Sequence, residues 1–532
     1  MNKFMKRTTI GSVMRGMCYG FTALLFAVSC ANDNVAQDEK QNKDNIPAGA
    51  TLFTGTSLPD ATTRTAILNH TKGAGASVNW SSTDKIWVKD DGGTWQQSGA
   101  VAFPFATNKA QGKFALSGTY TGTTHDVLYT NMAVTGTQPQ VEIKTTQTQS
   151  APNNFDHAGE SGDCGIATGN KEGNVYNFTL SHKASYLCFI PRTNNEYVKR
   201  SKLIKVEIMS DDDIAGTYNI AADGTLTLAS GGSKTITVTT GSGFDIDNSA
   251  DDMSKNATYA VVAPGTHTFR IRYWLSNTTD YLYGRFGPLE GTVSKIVTVN
   301  CTVGSIHDVT ANLNPHDYDG DHYYMWDAQQ QYWYGYEWTK HLPGNTGQPT
   351  LNSNSSSNYP QSNADSRWYH EGGGSGRFDA TQSCAGLPNV NEMTWYAAKG
   401  DPHWDADELW TTMGLLYKGG MWFKKKSQII GFNANTAYDG TDWRTNGNSS
   451  NWSVSRTLPS VADAGKYFYL PALGHYQDGK LYNVGSGVHY WSSSATTWAS
   501  DGACALYFYG GSNVYVFNVG RKFGYRVEPT FE

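Results

Sequence analysis

The chain has 532 residues, with 56 glycines, 13% aromatic residues, 17% charged residues and a formal net charge of −6. A single hydrophobic core rarely extends over so many residues, so about three or four domains are expected. Abundant glycine and aromatic residues with few charges favour an all-β surface protein and argue against a helical or disordered chain. The acidic balance offers no broad basic surface to a nucleic acid.

Residues 1–29 have the pattern of an export signal. Four basic residues come before an apolar stretch at residues 17–28, which is too short to span a bilayer. The sequence AVSC at residues 27–30 resembles the lipobox of bacterial lipoproteins, and this resemblance implies cleavage before Cys30 and lipidation of its thiol. The alternative is ordinary signal cleavage beside a chance cysteine. Residues 30–49 are polar and poor in apolar side chains, which predicts a flexible tether.

Two successive blocks of short alternating strands follow the tether. In the first block, residues 50–172, Gly, Asn and Thr separate strands predicted at residues 50–54, 84–88, 101–105, 113–116, 127–129 and 141–143. In the second block, residues 173–314, strands are predicted at residues 176–182, 185–190, 203–209, 234–239, 258–262, 268–274, 294–300 and 307–313. Neither pattern contains a helix of normal length, so each block is predicted to form a β-sandwich domain.

The order of motifs in these two blocks carries a resemblance. A lipobox, a tether, a strand and an Arg-Thr loop are followed by WSSTDKIWV at residues 80–88 and FTLSHKA at residues 178–184. This order resembles the fimbrillin (Mfa-like) family of Bacteroidetes over residues 30–315. The resemblance implies two all-β pilin domains that assemble with other fimbrial subunits by strand exchange. It also implies that an Arg-specific protease cuts at Arg64 and removes the strand within residues 48–57. The alternative is that Arg64 is only a solvated loop residue.

Residues 315–532 differ in composition, because Trp and Tyr become dense and helices are predicted for the first time. Asn389 with Glu392 three residues later has the pattern of a capping box, and Gly400 is predicted to end that helix. A second helix is predicted from Asp405 or Asp407 to residue 413. Strands follow, so the block is predicted to be an α+β domain.

Two strictly alternating runs, residues 503–509 and 513–519, are predicted to form a terminal hairpin around the turn Gly510-Gly511-Ser512. Alternation assigns Leu506, Val514 and Val516, which are aliphatic, and Phe508 to an inner face. The outer face is then aromatic, which is unusual for a solvated strand. We predict that this outer face and the turns beside it bind a ligand, since Tyr and Trp dominate binding hot spots. The predicted ligand-binding residues are Trp498, Ser500, Asp501, Tyr507, Tyr509, Asn513, Tyr515, Phe517, Lys522 and Phe523. Packing of the aromatic face beneath another loop is the alternative.

This last block also carries a resemblance. Its motifs are WY at residues 395–396, KGDPHW at 399–404, GGMWF at 419–423, YLPA at 469–472, YWSSS at 490–494 and GYRV at 524–527. They resemble C-type-lectin-like modules related to the formylglycine-generating-enzyme fold, and the variable regions of retroelement-diversified proteins. The resemblance implies a binding face in which exposed residues of the last strands vary.

No enzyme, cofactor or metal site is predicted. Oxidase chemistry on the related fold needs paired thiols near the terminal segment, and only Cys504 lies there, with Cys384 the other thiol of residues 315–532. The five cysteines from Cys164 onward lack CxxC or His/Cys metal spacing and are expected to be isolated thiols. The sequence DYDGD at residues 317–321 lacks the downstream glutamate of a calcium loop.

Together these patterns predict a mainly β outer-membrane lipoprotein of the cell surface. It would be a fimbrial subunit that presents its C-terminal domain for adhesion to a glycan or a protein. A tip position is expected, because the chain ends inside a folded domain and has no strand to donate. The alternatives are a lipid-anchored surface binding protein that does not polymerise and, less favoured, an enzyme of the formylglycine-generating fold.

Overall fold

The computed structural model describes residues 47, 49–56, 66–68, 70–74, 76–104, 109–278, 288–334, 379–499, 501–528 and 531–532. Strands dominate these residues, so the predicted mainly β fold is confirmed. The predicted signal at residues 1–29, Cys30, Arg64 and Ser500 lie outside the described residues. Over the described ranges, no helix is both long enough and apolar enough to cross a membrane.

The first block consists of short strands and one four-residue helix, α1 (Ala158–Ser161). Its strands β1 to β11 are Thr51–Gly55, Ala66–Leu68, Ser77–Asn79, Trp87–Lys89, Trp95–Gln97, Gly112–Leu116, Thr124–Tyr129, Gln140–Ile143, Thr146–Thr148, Asn154–Phe155 and Gly165–Glu172. Strands β12 (Val175–Phe178) and β13 (Ser181–His182) come from the second block in sequence but pair with strands of the first. The strand predicted at residues 101–105 does not form over residues 101–104, where Ala102 makes only a single bridge to Lys113.

Most of these strands join one sheet in the order β5-β4-β7-β11-β12-β1-β6, with β13 beside β11. Strand β1 lies inside this sheet, parallel to β12 and antiparallel to β6. Phe53 of β1 is fully buried and stacks on Tyr176, with 4.6 Å between ring centroids. Strands β10, β2 and β3 form a small separate sheet. Removing β1 would therefore leave two strands unpaired at one edge each and open the aromatic core.

The second block contains longer strands and two four-residue helices, α2 (Glu196–Lys199) and α3 (Met253–Asn256). Strands β14 to β22 are Ser185–Arg192, Ser201–Ser210, Ala215–Ile220, Leu226–Ser233, Thr235–Asp245, Thr258–Val262, Gly265–Asn277, Leu289–Cys301 and Ile306–Asn312. They form the three-stranded sheets β19-β14-β22 and β17-β16-β8, and most of a nine-stranded sheet. Strands β8 and β9, which come from the first block in sequence, pair with β16 and β18 of the second.

The last block adds helices α4 (Val390–Lys399) and α5 (Trp443–Asn446) and two single turns of 3₁₀ helix, Lys426–Gln428 and Ala464–Lys466. Strands β23 to β34 are His316–Tyr318, Tyr323–Tyr324, His403–Thr412, Leu415–Lys424, Ser450–Ser453, Tyr467–Pro471, Leu473–Gln477, Lys480–Val484, Gly487–Ala495, Gly502–Tyr509, Asn513–Gly520 and Tyr525–Arg526.

The helix predicted from Asp405 or Asp407 to residue 413 is wrong, because this segment is strand β25. It pairs with β26 through a turn at Met413 and Gly414, both of which have positive φ. A register shift between Asp405 and Leu409 breaks the two-residue alternation and leaves apolar residues at a spacing that imitates a helix.

The single-residue pairing of Thr292 with Glu408 brings β25 beside β21. The nine-stranded sheet therefore runs β28-β26-β25-β21-β20-β15-β18-β9, with β23 beside β25.

The terminal strands form a sheet in the order β24-β34-β31-β32-β33-β27, to which β29 and β30 are attached through β31. Helix α4 packs against β31, β32 and β33. The predicted capping box is present, since the Asn389 side chain accepts from the Glu392 N–H and the Glu392 carboxylate accepts from the Asn389 N–H. Val390, Met393 and Ala397 are buried on the helix face predicted from the sequence.

Candidate binding surface

The terminal hairpin has the predicted geometry. Strands β32 and β33 pair in a register that places Tyr507 opposite Tyr515 and Leu506 opposite Val516. Gly510 and Gly511 both have positive φ, at 54° and 68°, which gives the reverse turn that best matches the twist of two antiparallel strands. A Cβ atom on Gly511 would lie 2.6 Å from the Trp404 ring, so the turn also needs glycine for space.

The inner face of the hairpin fixes its position in the domain. Leu506, Phe508, Val514 and Val516 are fully buried in the core beneath α4. Burying each side chain of this size contributes roughly 1.5–3 kcal/mol. The strands are therefore held against α4 by their inner face, and the orientation of the outer face follows from that packing.

The outer face is divided into two halves. At the end near Gly502, Ala503 and Ala505 pack with Trp491 in a core that includes Trp326 and Leu387. At the end near the turn, side chains stay half-buried or exposed, and Tyr509 is the most open with 45% of its surface accessible. Other segments therefore pack over the end near Gly502, while the end near the turn stays open.

Rings on the outer face and beside it form a connected group, which we call the aromatic ridge: Phe517, Tyr515, Tyr507, His489, Tyr525 and Phe523. Tyr525 is buried, and the other five rings are half-buried. The Tyr507 ring lies 5.6 Å from Tyr515 and 6.0 Å from Phe517. His489 stacks between Tyr507, at 4.2 Å, and Tyr525, at 4.3 Å. Tyr525 in turn stacks on Phe523 at 5.8 Å with an interplanar angle of 9°. Such contacts stabilise ring pairs by about 0.5–1.5 kcal/mol beyond the area they bury, so the ridge is pre-ordered.

A second histidine, His475, packs against His489 of the ridge. The ring centroid of His475 lies 4.5 Å from that of His489. Burial lowers the pKa of His475 to about 4. Burial, and the neighbouring His475, lower the pKa of His489 well below its ordinary value. Both imidazole rings are uncharged at neutral pH, so the two histidines add no positive charge to the ridge.

The structure brings together only part of the predicted ligand-binding set. Tyr507, Tyr515, Phe517 and Phe523 belong to the aromatic ridge, and Tyr509 extends it toward the turn, where its ring lies against Gly487. The Lys522 ammonium lies over the Phe523 ring at 5.7 Å. The Asn513 side chain donates to the Asn451 side chain at 2.9 Å at the edge of the sheet.

Trp498 and Asp501 lie elsewhere. The Trp498 indole N–H donates to the Gly447 carbonyl at 3.1 Å, and Asn518 on the inner-face side of β33 donates to the same carbonyl. Trp498 is nevertheless 66% exposed, and Asp501 is exposed at the far end of the hairpin. Neither residue makes a ring contact with the aromatic ridge among those described. Ser500 lies outside the described residues.

Sequence reasoning missed His475, His489 and Tyr525. The signal for His489 is present in the sequence, because His489 and Trp491 alternate with Tyr490 in β31 and so share the face of Tyr507. Tyr525 comes from a two-residue strand and His475 from β29, which joins this sheet at Gly474 and Val488. Neither placement follows from local alternation.

The thiols of this domain do not form a pair. Cys504 lies on the inner-face side, where its sulfur is 3.1 Å from the Asn518 side-chain oxygen. Burial raises the pKa of Cys504 to about 12. Cys384 accepts from the Asp327 N–H in the core beneath the covered half of the outer face. The five described cysteines are all buried and form no disulfide, in agreement with the expectation of isolated thiols.

Comparison with known proteins gives matches only among solved structures. No family model and no curated protein matches the sequence. A candidate cell adhesion protein from Bacteroides ovatus is similar at 13% identity and a TM-score of 0.30, over 49% of this chain and 91% of that one. A fimbrial protein from Bacteroides ovatus is similar at 10% identity and a TM-score of 0.22, over 89% of this chain and 97% of that one. The fimbrial anchor protein Mfa2 from Porphyromonas gingivalis is similar at 8% identity and a TM-score of 0.21, over 42% of this chain and 78% of that one.

Proposed function

We propose that this protein is a lipid-anchored fimbrial subunit of the bacterial cell surface that binds its target through the aromatic ridge. The observation that carries the proposal is the difference in burial between the two faces of the terminal hairpin. Its inner face is buried, while Tyr507 and Tyr515 at the open end of its outer face stay half-buried and Tyr509 is exposed, with Tyr507 stacked on His489. Pre-ordered aromatic side chains bind with little loss of conformational entropy.

Adhesion is tested by removing rings that no core depends on. Tyr509→Ser and Tyr515→Ser, alone and together, are displayed on cells and assayed for adhesion to a glycan array and to immobilised bacterial cells. We expect the double variant to lose at least about tenfold in binding, the loss typical of a hot spot of this size. Ile430→Ser is the matched control, since Ile430 is 96% exposed and follows the 3₁₀ turn at Lys426–Gln428. Equal binding by the double variant and the control would rule out the ridge as the adhesive surface.

Assembly is proposed to proceed by strand exchange after cleavage at Arg64. The supporting observation is the position of β1, whose backbone pairs with β12 on one side and β6 on the other. Once β1 is removed, both neighbours have free backbone groups and an open aromatic core, which a strand from another subunit can fill. The tip position proposed for this subunit predicts a label at fibre ends and none along the shaft.

Arg64→Ala discriminates this proposal from the alternative of a non-polymerising surface lipoprotein. The variant is expected to keep its full length and to stay out of fibres, while Lys72→Ala, a basic residue of the same region, is processed normally. If Arg64→Ala is processed and assembled like the parent chain, the non-polymerising alternative is the better one. Incorporation of labelled palmitate, lost in Cys30→Ser, tests the lipid anchor.

The remaining alternative is an oxidase of the formylglycine-generating fold. Its catalysis needs a thiol that ionises readily, and the single terminal thiol is buried with a raised pKa. We therefore propose that the protein has no such activity. Thiol-dependent oxidation of a cysteine-containing peptide that disappears in Cys504→Ser would overturn this proposal.

A further inference from the structure

Three side chains of metal-binding type, one from the first block and two from the second, converge at strands β14 and β22. The Nε2 or Nδ1 atom of His70, the sulfur of Cys188 and a carboxylate oxygen of Asp308 all lie within 4.8 Å of one another. His70 and Cys188 are buried, and Asp308 is half-buried. The three residues are far apart in the sequence, so no local spacing of metal-binding residues could predict the cluster.

Strand pairing creates the cluster. Strands β14 and β22 are parallel neighbours, and their register places Cys188 opposite Asp308, so that the two side chains share one face of the sheet. His70 follows β2 in the sequence, and its Nε2 atom lies 2.9 Å from the Asp308 carboxylate. Two of the three residues therefore sit on paired strands, which hold the distance between them.

The surroundings fix the orientation of the side chains. The second carboxylate oxygen of Asp308 accepts from the Gly73 N–H at 2.7 Å, which leaves the first oxygen directed at His70. The Tyr259 ring packs edge-on to the His70 ring, with centroids 6.1 Å apart. Such contacts beyond the ligands are the support that metal-binding side chains require in order to stay aligned.

A groove borders the cluster at Asp308. A cavity of about 870 Å³ opens beside β21 and β22, and its lining includes Gly73, His307 and Asp308. Three protein ligands with a solvent-accessible fourth position form a common arrangement for zinc, whereas fully closed sites have four protein ligands. Of the three proposed ligands, Asp308 lines this groove, so an ion or a water molecule would approach the cluster from the side of Asp308.

We propose that His70, Cys188 and Asp308 form a binding site for one divalent transition-metal ion of the zinc class. A thiolate beside an imidazole favours zinc and similar borderline ions, and it disfavours calcium and magnesium, which take oxygen ligands. Binding replaces the thiol proton of Cys188 and the hydrogen bond between His70 and Asp308 with metal–ligand bonds, and the proton leaves to solvent. Small shifts of the side chains suffice. Two ligand atoms on one zinc ion, with bonds of about 2.0–2.3 Å, can lie up to about twice that distance apart, and the three ligand atoms lie within 4.8 Å of one another.

The site would tie residue 70 to the paired strands β14 and β22. His70 lies six residues after Arg64 (70 − 64 = 6), so the ion would hold the segment that follows the proposed cleavage point. This consequence rests on the cleavage proposal, but ion binding itself does not. Titration of the uncleaved chain therefore tests the metal site separately from processing.

The experiment is titration of the full, chelator-treated chain with Zn²⁺ and, as a spectroscopic probe, Co²⁺. We expect one ion per chain, a thiolate-to-cobalt charge-transfer band, and a rise in the unfolding temperature on addition of Zn²⁺. Cys188→Ser is expected to lose the band, and His70→Gln is expected to bind at least about tenfold more weakly.

Two nearby residues provide matched controls. Cys301→Ser removes another buried thiol of the same block, and His307→Gln removes the histidine beside Asp308 in β22. Both are expected to bind like the parent chain. Circular dichroism of each variant confirms that it is folded. No stoichiometric binding by the parent chain, or equal binding by Cys188→Ser and Cys301→Ser, would overturn the proposal.

Discussion

The imidazole ring of His489 stacks on the phenol ring of Tyr507, with 4.2 Å between their centroids and 21° between their planes. Tyr525 covers the opposite face of the imidazole at 4.3 Å. A residue of β31 is thus enclosed by residues of β32 and β34, and the three strands present their rings as one surface. This contact makes the aromatic ridge a property of the folded sheet rather than of the hairpin alone.

Replacing His489 tests whether stacking orders the ridge. His489→Ala is expected to lower the free energy of unfolding by about 1–3 kcal/mol, because two stacked ring contacts and their buried area are lost. His489→Phe, which keeps a ring in the same place, is expected to retain most of that stability. Urea denaturation measures both variants. Equal losses for Ala and Phe would show that stacking is not the source of the stability.

The buried histidines predict a loss of stability in mild acid. The folded-state pKa of His475, about 4, lies below its unfolded value near 6.5, so the unfolded chain binds a proton first as pH falls. The free energy of unfolding should therefore decrease between about pH 6.5 and pH 4, by up to about 3 kcal/mol from this residue. His475→Phe is expected to flatten that part of the profile, measured by urea denaturation at stepped pH. His157, which is also buried with a pKa of about 4, and His489, whose pKa is lowered by burial, are left in place and contribute to the remaining slope.

Glu408 predicts the opposite dependence at higher pH. Burial, and then the nearby Asp405 carboxylate, raise the pKa of Glu408 to about 7, although Ser294 donates to it through both its hydroxyl and its N–H. An acid with a raised folded-state pKa destabilises the fold once pH exceeds its unfolded value of about 4.5, and the cost grows until about pH 7. Glu408→Gln is expected to be more stable than the parent chain at pH 8, by up to about 3 kcal/mol, and nearly equal at pH 4.5. An unchanged difference across this range would contradict the prediction.

The two glycines of the terminal turn should respond differently to alanine. Both have positive φ, so each substitution costs about 1 kcal/mol in backbone strain. A Cβ at Gly510 meets nothing within 4 Å, whereas at Gly511 it would lie 2.6 Å from the Trp404 ring. Gly511→Ala is therefore expected to lower the unfolding temperature clearly more than Gly510→Ala. Differential scanning calorimetry measures both, and equal shifts would mean that Trp404 moves aside at little cost.

Strand β1 is predicted to contribute strongly to the stability of the first sheet. Phe53 is fully buried against Tyr120 and Tyr176, so Phe53→Ala is expected to cost about 3–5 kcal/mol. Leu52→Ala, at the adjacent half-buried position, is expected to cost less. Limited proteolysis and urea denaturation of the uncleaved chain compare the two. A similar cost at both positions would argue that the Phe53 pocket does not hold the strand.

Local patterns were enough to predict the elements that depend on near neighbours. The capping box at Asn389 and the hairpin around Gly510 were found because hydrogen bonds at a helix start and φ at a tight turn are set within a few residues. The helix predicted near Asp405 was wrong because a bulge in β25 disturbed the alternation, and pairing with β26 outweighed the local spacing. Partners that lie far along the chain decide such cases.

The sequence alone determined which side chains of β32 and β33 share a face, because the side-chain period of a strand is two whatever packs on it. Only the tertiary structure decided what covers each face. Trp326 and Leu387 bury the end of the outer face near Ala503, while the end near Tyr507 and Tyr509 stays open. The same holds for His70, Cys188 and Asp308, which strand register brings together from distant positions. The burial of each hairpin face and the convergence of these three side chains depend on pairing between distant segments, which a local sequence pattern does not predict.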